Sequence, residues 1–136
     1  MKAIRVVKHG GPEVLELKEV PDPAPAAGQV LLRVHAAGVN PVDTYIRAGQ
    51  QGYAGPVPYT PGLDAAGVIE AVGDGVQSVR VGDRVFTSRA FTGSYAEKAL
   101  AAASDVYPLP ERLSFAAGAA IGIPWATAYR ALFQRA

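Results

Sequence analysis

The sequence contains no cysteine, one methionine and one tryptophan among 136 residues. Without thiols there is no disulfide and no thiolate-ligated zinc, which removes the stapled secreted scaffolds and the cysteine-built metal sites together. Large apolar side chains are also few: of 67 apolar residues, 25 are Ala and 16 are Val. No stretch approaches the ~18 consecutive apolar residues of a membrane-spanning helix. Thirteen basic and twelve acidic residues leave a net charge of +1, with the signs interspersed. That balance gives no basic face for nucleic acid. The opening Met1-Lys2-Ala3-Ile4-Arg5-Val6-Val7 alternates at once and lacks the apolar run of a secretory signal, which reads as cytoplasmic.

What is abundant is glycine and proline. Fifteen Gly and eleven Pro make about 19% of the chain, against a usual ~12%. The length suits one ordinary domain, and this density of turn residues predicts many short strands joined by tight connections. Met1–Val7 is expected to be a strand, followed by a turn at His9-Gly10-Gly11-Pro12. Val14–Val20 reads as a second, half-buried strand, and Pro21–Pro25 as a stiff extended loop. Gln29–Val39 carries the clearest alternation, with Val30, Leu32, Val34 and Ala36 on one face and Arg33 and His35 on the other.

The period then changes. Asn40 is a good N-cap, Pro41 suits the first helical position, Asp43 places negative charge in the first turn, and Gly49 is a natural stop. A short helix is expected there, followed by an aperiodic Gly/Pro/Tyr-rich loop over Gln50–Pro61 that suits a lid or pocket wall. Gly67–Val72, Ser94–Leu100 and Val106–Leu109 read as strands, with Val79, Val81 and Val85 around a Gly82-Asp83 turn. Ser114–Ala120 and Pro124–Gln134 read as helices, with Ser114 and Pro124 as start signals. In the second, Trp125, Ala128, Tyr129 and Leu132 form one apolar stripe.

Gly73-Asp74-Gly75 nearly opens a dinucleotide-binding loop, but the third glycine is missing and alternating valines follow instead of a helix. A turn is the better reading. His9 and His35 have no ligand partner at metal-binding spacing. Two clusters concentrate polar chemistry. Asn40-Pro41-Val42-Asp43-Thr44-Tyr45 places an amide, a carboxylate and a phenol at a strand-to-helix corner. Pro58-Tyr59-Thr60-Pro61-Gly62-Leu63-Asp64-Ala65-Ala66-Gly67 is a proline-stiffened turn into a strand. Helix capping and turn formation account for both, and a site would be additional.

Six segments in order carry a resemblance: Gly10–Leu15, Ala37–Arg47, Pro58–Gly67, Val81–Phe86, Gly118–Pro124 and Thr127–Leu132. Together they resemble the NADPH-dependent quinone oxidoreductases of the zeta-crystallin type, in the medium-chain dehydrogenase/reductase superfamily. The resemblance covers essentially the whole chain. It implies a mainly β fold: a GroES-like bent antiparallel barrel with short helices and a C-terminal helical segment. Residues 1–123 would be the GroES-like catalytic domain. Residues 124–136 would start the helix leading to a Rossmann domain, which is absent from this chain.

The resemblance also implies roles. The zinc-ligand positions of the zinc-dependent relatives fall here on Asn40, Leu63 and Ile123, so a zinc-independent member is expected. Asn40 and Tyr45 match catalytic positions beside the nicotinamide of NADPH. Thr127 resembles a further cofactor-facing residue, and Asp43 is expected to order the helix start. Tyr53 and Tyr59 are expected to stack on a flat quinone. A quinone accepts hydride or electrons readily, so the protein's task is to hold acceptor and cofactor together and exclude water. The chain alone is expected neither to bind NADPH tightly nor to turn over, and the complete enzyme to be a homo-oligomer. Two other readings stay open: a stand-alone GroES-like binding module, and an enoyl or enone reductase of a sister family.

Overall fold

The computed structural model describes residues 1–135. Seven strands and three α-helices follow one another as β1 (Lys2–Val6), β2 (Leu15–Glu19), β3 (Gln29–Ala37), α1 (Pro41–Ala48), β4 (Ala65–Val72), β5 (Arg84–Thr87), β6 (Lys98–Ala102), β7 (Val106–Pro108), α2 (Phe115–Ala119) and α3 (Gly122–Phe133). Five strands form an antiparallel sheet in the order β6-β3-β4-β5-β7, and β1 and β2 form an antiparallel ribbon. The ribbon is tied to the rest by backbone bonds. Ile4 N–H donates to Tyr95 O at 2.8 Å, Glu97 N–H to Lys2 O at 3.0 Å, and Val6 N–H to Tyr59 O at 2.9 Å.

The alternation of Gln29–Val39 produces the central strand. Val30 and Leu32 are fully buried, and Arg33 and His35 face out as expected. Leu31, on the other face, is buried too. Two neighbouring strands flank β3, and its bulge-like register shifts with β4, at Leu31/Leu32 and Val34/Ala36, break strict alternation. Val30, Leu32, Ile69, Val85, Ala101 and Val106 make the main core, and each large aliphatic side chain buried there contributes about 1.5–3 kcal/mol. A second cluster of Ala66, Leu109 and Ala119 seats α2 on the sheet. Alanine at these contacts lets helix and strands approach closely, which is how a chain poor in large side chains still builds an interior.

Three expectations need correction. Val14–Val20 is a one-turn 3₁₀ segment over Pro12–Val14 followed by β2, and β2 is mostly exposed, with Leu17 at 66%. It pairs with β1 alone, and four of its five residues, Leu17 among them, stand exposed. Ser94–Leu100 is displaced to β6, because Ser94 and Tyr95 are held in a loop by bonds to the Gly62 and Pro61 carbonyls. Helix α3 begins at Gly122, two residues before Pro124. The Gly73–Gly75 segment is a turn with no helix after it, and Gly73 packs against the Ala26 carbonyl.

Candidate functional site

The corner between β3 and α1 forms as its punctuation predicts. Asn40 is extended at the N-cap, Pro41 opens the helix, and Gly49 closes it in the left-handed conformation at φ 70°. Asp43 Oδ2 accepts the Asn40 backbone N–H at 2.8 Å, so Asp43 does order the first turn. The far end of α1 is fixed by the glycine turn before β2: Gly10 N–H donates to Arg47 O at 3.0 Å.

Behind this corner lies a buried polar network. Asn40, Asp43 and Asp64 are each at most 5% exposed. Asn40 Nδ2 donates to Asp64 Oδ2 at 2.9 Å, and the Ile123 N–H is shared by both Asp64 oxygens at 3.1 Å. Tyr95 OH donates to Asp43 Oδ2 at 3.2 Å. Burial raises both carboxyl pKa values. For Asp64 it outweighs the bonds from Asn40 and Ile123, and for Asp43 those from Asn40 and Tyr95. Burial, reinforced by the Asp43 charge, holds the Tyr95 and Tyr59 phenols above their ordinary range.

Of the cavities that flank the network, two hold predicted site residues. One, of about 150 Å³, is lined by Asp43, Ile46, Tyr59, Thr60, Leu63 and Phe91. Asp43 Oδ1 and Tyr59 OH, on two of its lining residues, are buried without hydrogen-bond partners, as is Ser94 Oγ on the loop packed against Gly62. Unpaired buried polar atoms are costly in a fold, and they mark places where a polar group can be received. The other cavity runs beside Asn40 and Asp64 between the end of β3, Ala116, Ala119 and Pro124.

The predicted residues do not form one cluster. Asn40 lies buried on the alanine-walled cavity, and Tyr59 lines the Asp43 cavity. Tyr45 and Tyr53 are brought together at the surface, their rings edge-to-face at 5.5 Å, 39% and 49% exposed. Thr127 is exposed on α3 and lines neither cavity. The sequence reading assigned no role to Asp64 or Tyr95. Their partners are 24 to 59 residues away, and no local pattern reports such a contact. The only hint was that Asp64 sits inside the Pro58–Gly67 cluster.

The alcohol dehydrogenase GroES-like domain model matches residues 26–111. The chain belongs to that family. Across its whole length the domain is 58% identical to human quinone oxidoreductase, of which it spans 42%. Its fold superposes on 41% of the Escherichia coli quinone oxidoreductase complexed with NADPH, with a TM-score of 0.94 and 35% identity over 99% of this chain. It is also similar to the human synaptic vesicle membrane protein VAT-1 homolog-like protein, with a TM-score of 0.94 and 32% identity, covering 99% of this chain and 43% of that one. The domain therefore spans less than half the length of the curated relatives it matches, and the mainly β, GroES-like architecture expected from its turn density and motifs is the one it has.

Proposed function

We propose that this domain forms the acceptor-side wall of the active site in a cytoplasmic, zinc-independent, NADPH-dependent quinone reductase that assembles as a homo-oligomer. The observation that carries this reading is the 58% identity to human quinone oxidoreductase over every part of the chain. NADPH, when bound, supplies the reducing equivalents. Asn40 beside an alanine-walled cavity, the half-exposed Tyr45 phenol on α1 and the exposed Thr127 hydroxyl on α3 would face the nicotinamide end of that cofactor. The residues on this domain do not fit its phosphates, since the glycine-rich Gly73–Gly75 turn leads into no helix N-terminus. The domain by itself therefore binds NADPH weakly and does not turn over.

Tyr53 and Tyr59 would face the quinone, one from the exposed loop and one from the Asp43 cavity, and their rings would exclude water from it. Zinc independence is supported by the donor chemistry. Asn40, Leu63 and Ile123 stand at the ligand positions of zinc-dependent relatives, and among the described residues no three His, Asp or Glu side chains are grouped to hold a metal ion. The second reading keeps the enzyme and changes the acceptor to an enone or enoyl thioester, since a GroES-like domain does not by itself fix the acceptor.

The test joins this domain to the cofactor-binding part of the Escherichia coli quinone oxidoreductase and follows NADPH oxidation. With 1,4-naphthoquinone, kcat/KM should exceed that with an enoyl thioester by at least about tenfold, the ratio that a difference of ~1.4 kcal/mol in transition-state binding produces. The reverse preference supports the enoyl reading, and no oxidation of either kind supports a binding module.

A further inference from the structure

We infer that Asp64 is a positioning residue: its buried carboxylate latches the first turn of α3 onto the β3–α1 corner and so fixes Asn40 and Thr127 relative to one another. This inference concerns the site assigned under the proposed quinone reductase function and, in its kinetic consequence, rests on that reading. Helix α3 needs such a latch. Its N-cap is Ile121, which has no side-chain acceptor, and none of its residues is buried. The first four N–H groups of any α-helix lack intrahelical partners. Here the Ile123 N–H finds its acceptor 59 residues back, in both oxygens of Asp64 at 3.1 Å. An acidic side chain at a helix N-terminus also meets the positive end of the helix dipole.

The same carboxylate holds Asn40. Asp64 Oδ2 accepts from Asn40 Nδ2 at 2.9 Å, so the nitrogen end of that amide is turned toward Asp64. An ionised carboxylate can only accept, which makes this orientation obligatory. The backbone serves the contact too. The Gly38 N–H donates to Asp64 O at 3.0 Å, and Asp64 is 1% exposed. A Cβ at Gly122 would come within 2.3 Å of Asp64 Oδ1, and one at Gly38 within 2.8 Å of Asp64 Cβ, so both glycines leave the room the carboxyl group occupies. One side chain thus joins three segments far apart in sequence. Thr127 stands four residues after Ile123, one turn along the same helix face, so movement at the latch is transmitted to it.

Amide hydrogen exchange on the unmodified 136-residue chain tests the latch directly. Although second in its helix, the Ile123 N–H should be protected by about a hundredfold relative to the Gly122 N–H, as hydrogen-bonded amides in structured segments are. Exchange of Ile123 as fast as Gly122 overturns the latch. Asp64→Asn supplies the second reading, since it keeps the volume but sets an NH₂ donor against Asn40 Nδ2 or Ile123 N–H. Exchange over the first turn of α3 should then rise while β3 and β4 amides hold, and an α3 unchanged in this variant contradicts the inference. In the joined protein described above, the same substitution should raise the KM for NADPH by about tenfold, with a smaller change in kcat. If Asn40→Ala raises that KM and Asp64→Asn does not, the positioning role is overturned. If neither changes it, the cofactor role of Asn40 fails, and the exchange of Ile123 alone decides the latch.

Discussion

Asp43 and Asp64 are buried carboxyls whose pKa values are raised above 3.8, whereas the exposed Asp22, bonded to Lys98 and the N-terminal amine, has its pKa lowered. The signs oppose each other. A carboxyl with a raised pKa binds its proton more tightly in the folded state, so its contribution to stability falls as pH rises from about 3.8 through the folded pKa. Carbon-detected titration should therefore show Asp43 and Asp64 ionising above 3.8 and Asp22 below it. Urea unfolding should show Asp43→Asn gaining on the native sequence as pH rises across that window, and a gap independent of pH would contradict the burial argument. At Gly67 the limit is steric, since a Cβ there would lie 2.0 Å from the Arg33 carbonyl across the β3–β4 pair. Gly67→Ala should cost about 2–3 kcal/mol in urea unfolding, as overpacking of a closed interior does. Tyr45 is half-exposed and its ring meets Tyr53 edge-on, so Tyr45→Phe leaves that packing intact. In the joined enzyme Tyr45→Phe should raise the KM for NADPH several-fold, and no change would count against its cofactor role.

Among the elements, those carrying their own punctuation were legible in the sequence. Helix α1, with Asn40, Pro41, Asp43 and Gly49, runs between the residues that announce it, and Ser114 caps α2 by accepting the Ala117 N–H at 3.1 Å. Strand β2 and the start of β6 were not legible, because what decides them is how many partners a strand has and which distant carbonyl holds a loop. Helix α3 lies between these cases. Its stripe was readable, yet it starts at Gly122, where Asp64 accepts the Ile123 N–H, and not at Pro124. Trp125, Tyr129, Leu132 and Phe133 are 59–73% exposed, one apolar stripe along the outer face of α3. Trp125 is the sole tryptophan and so reports on this helix alone. Its fluorescence should be quenched by iodide nearly as freely as that of a tryptophan peptide at low protein concentration. It should become protected as concentration rises and copies associate through the stripe. Protection already present in the dilute monomer would contradict the exposed face.

Across the whole molecule, the fold and the family were more legible than the site. Turn density, alternation and six ordered segments are local signals, and they gave a β-rich GroES-like domain. The site depends on what converges in space. Asn40 and Tyr59 fall on two different cavities, Tyr45 pairs with Tyr53 at the surface, and Asp64, which links the corner to α3, meets partners 24 and 59 residues away. The β3–α1 corner and its surroundings bear aromatic rings, an amide and buried carboxyls, and the Gly73–Gly75 turn leads into no helix. Titrating NADPH into the 136-residue chain, followed by the fluorescence of Trp125 and of the nicotinamide, tests this account most directly. No saturable binding at micromolar cofactor is expected, and sub-micromolar binding to the chain alone would contradict a domain without its own grip on the cofactor phosphates.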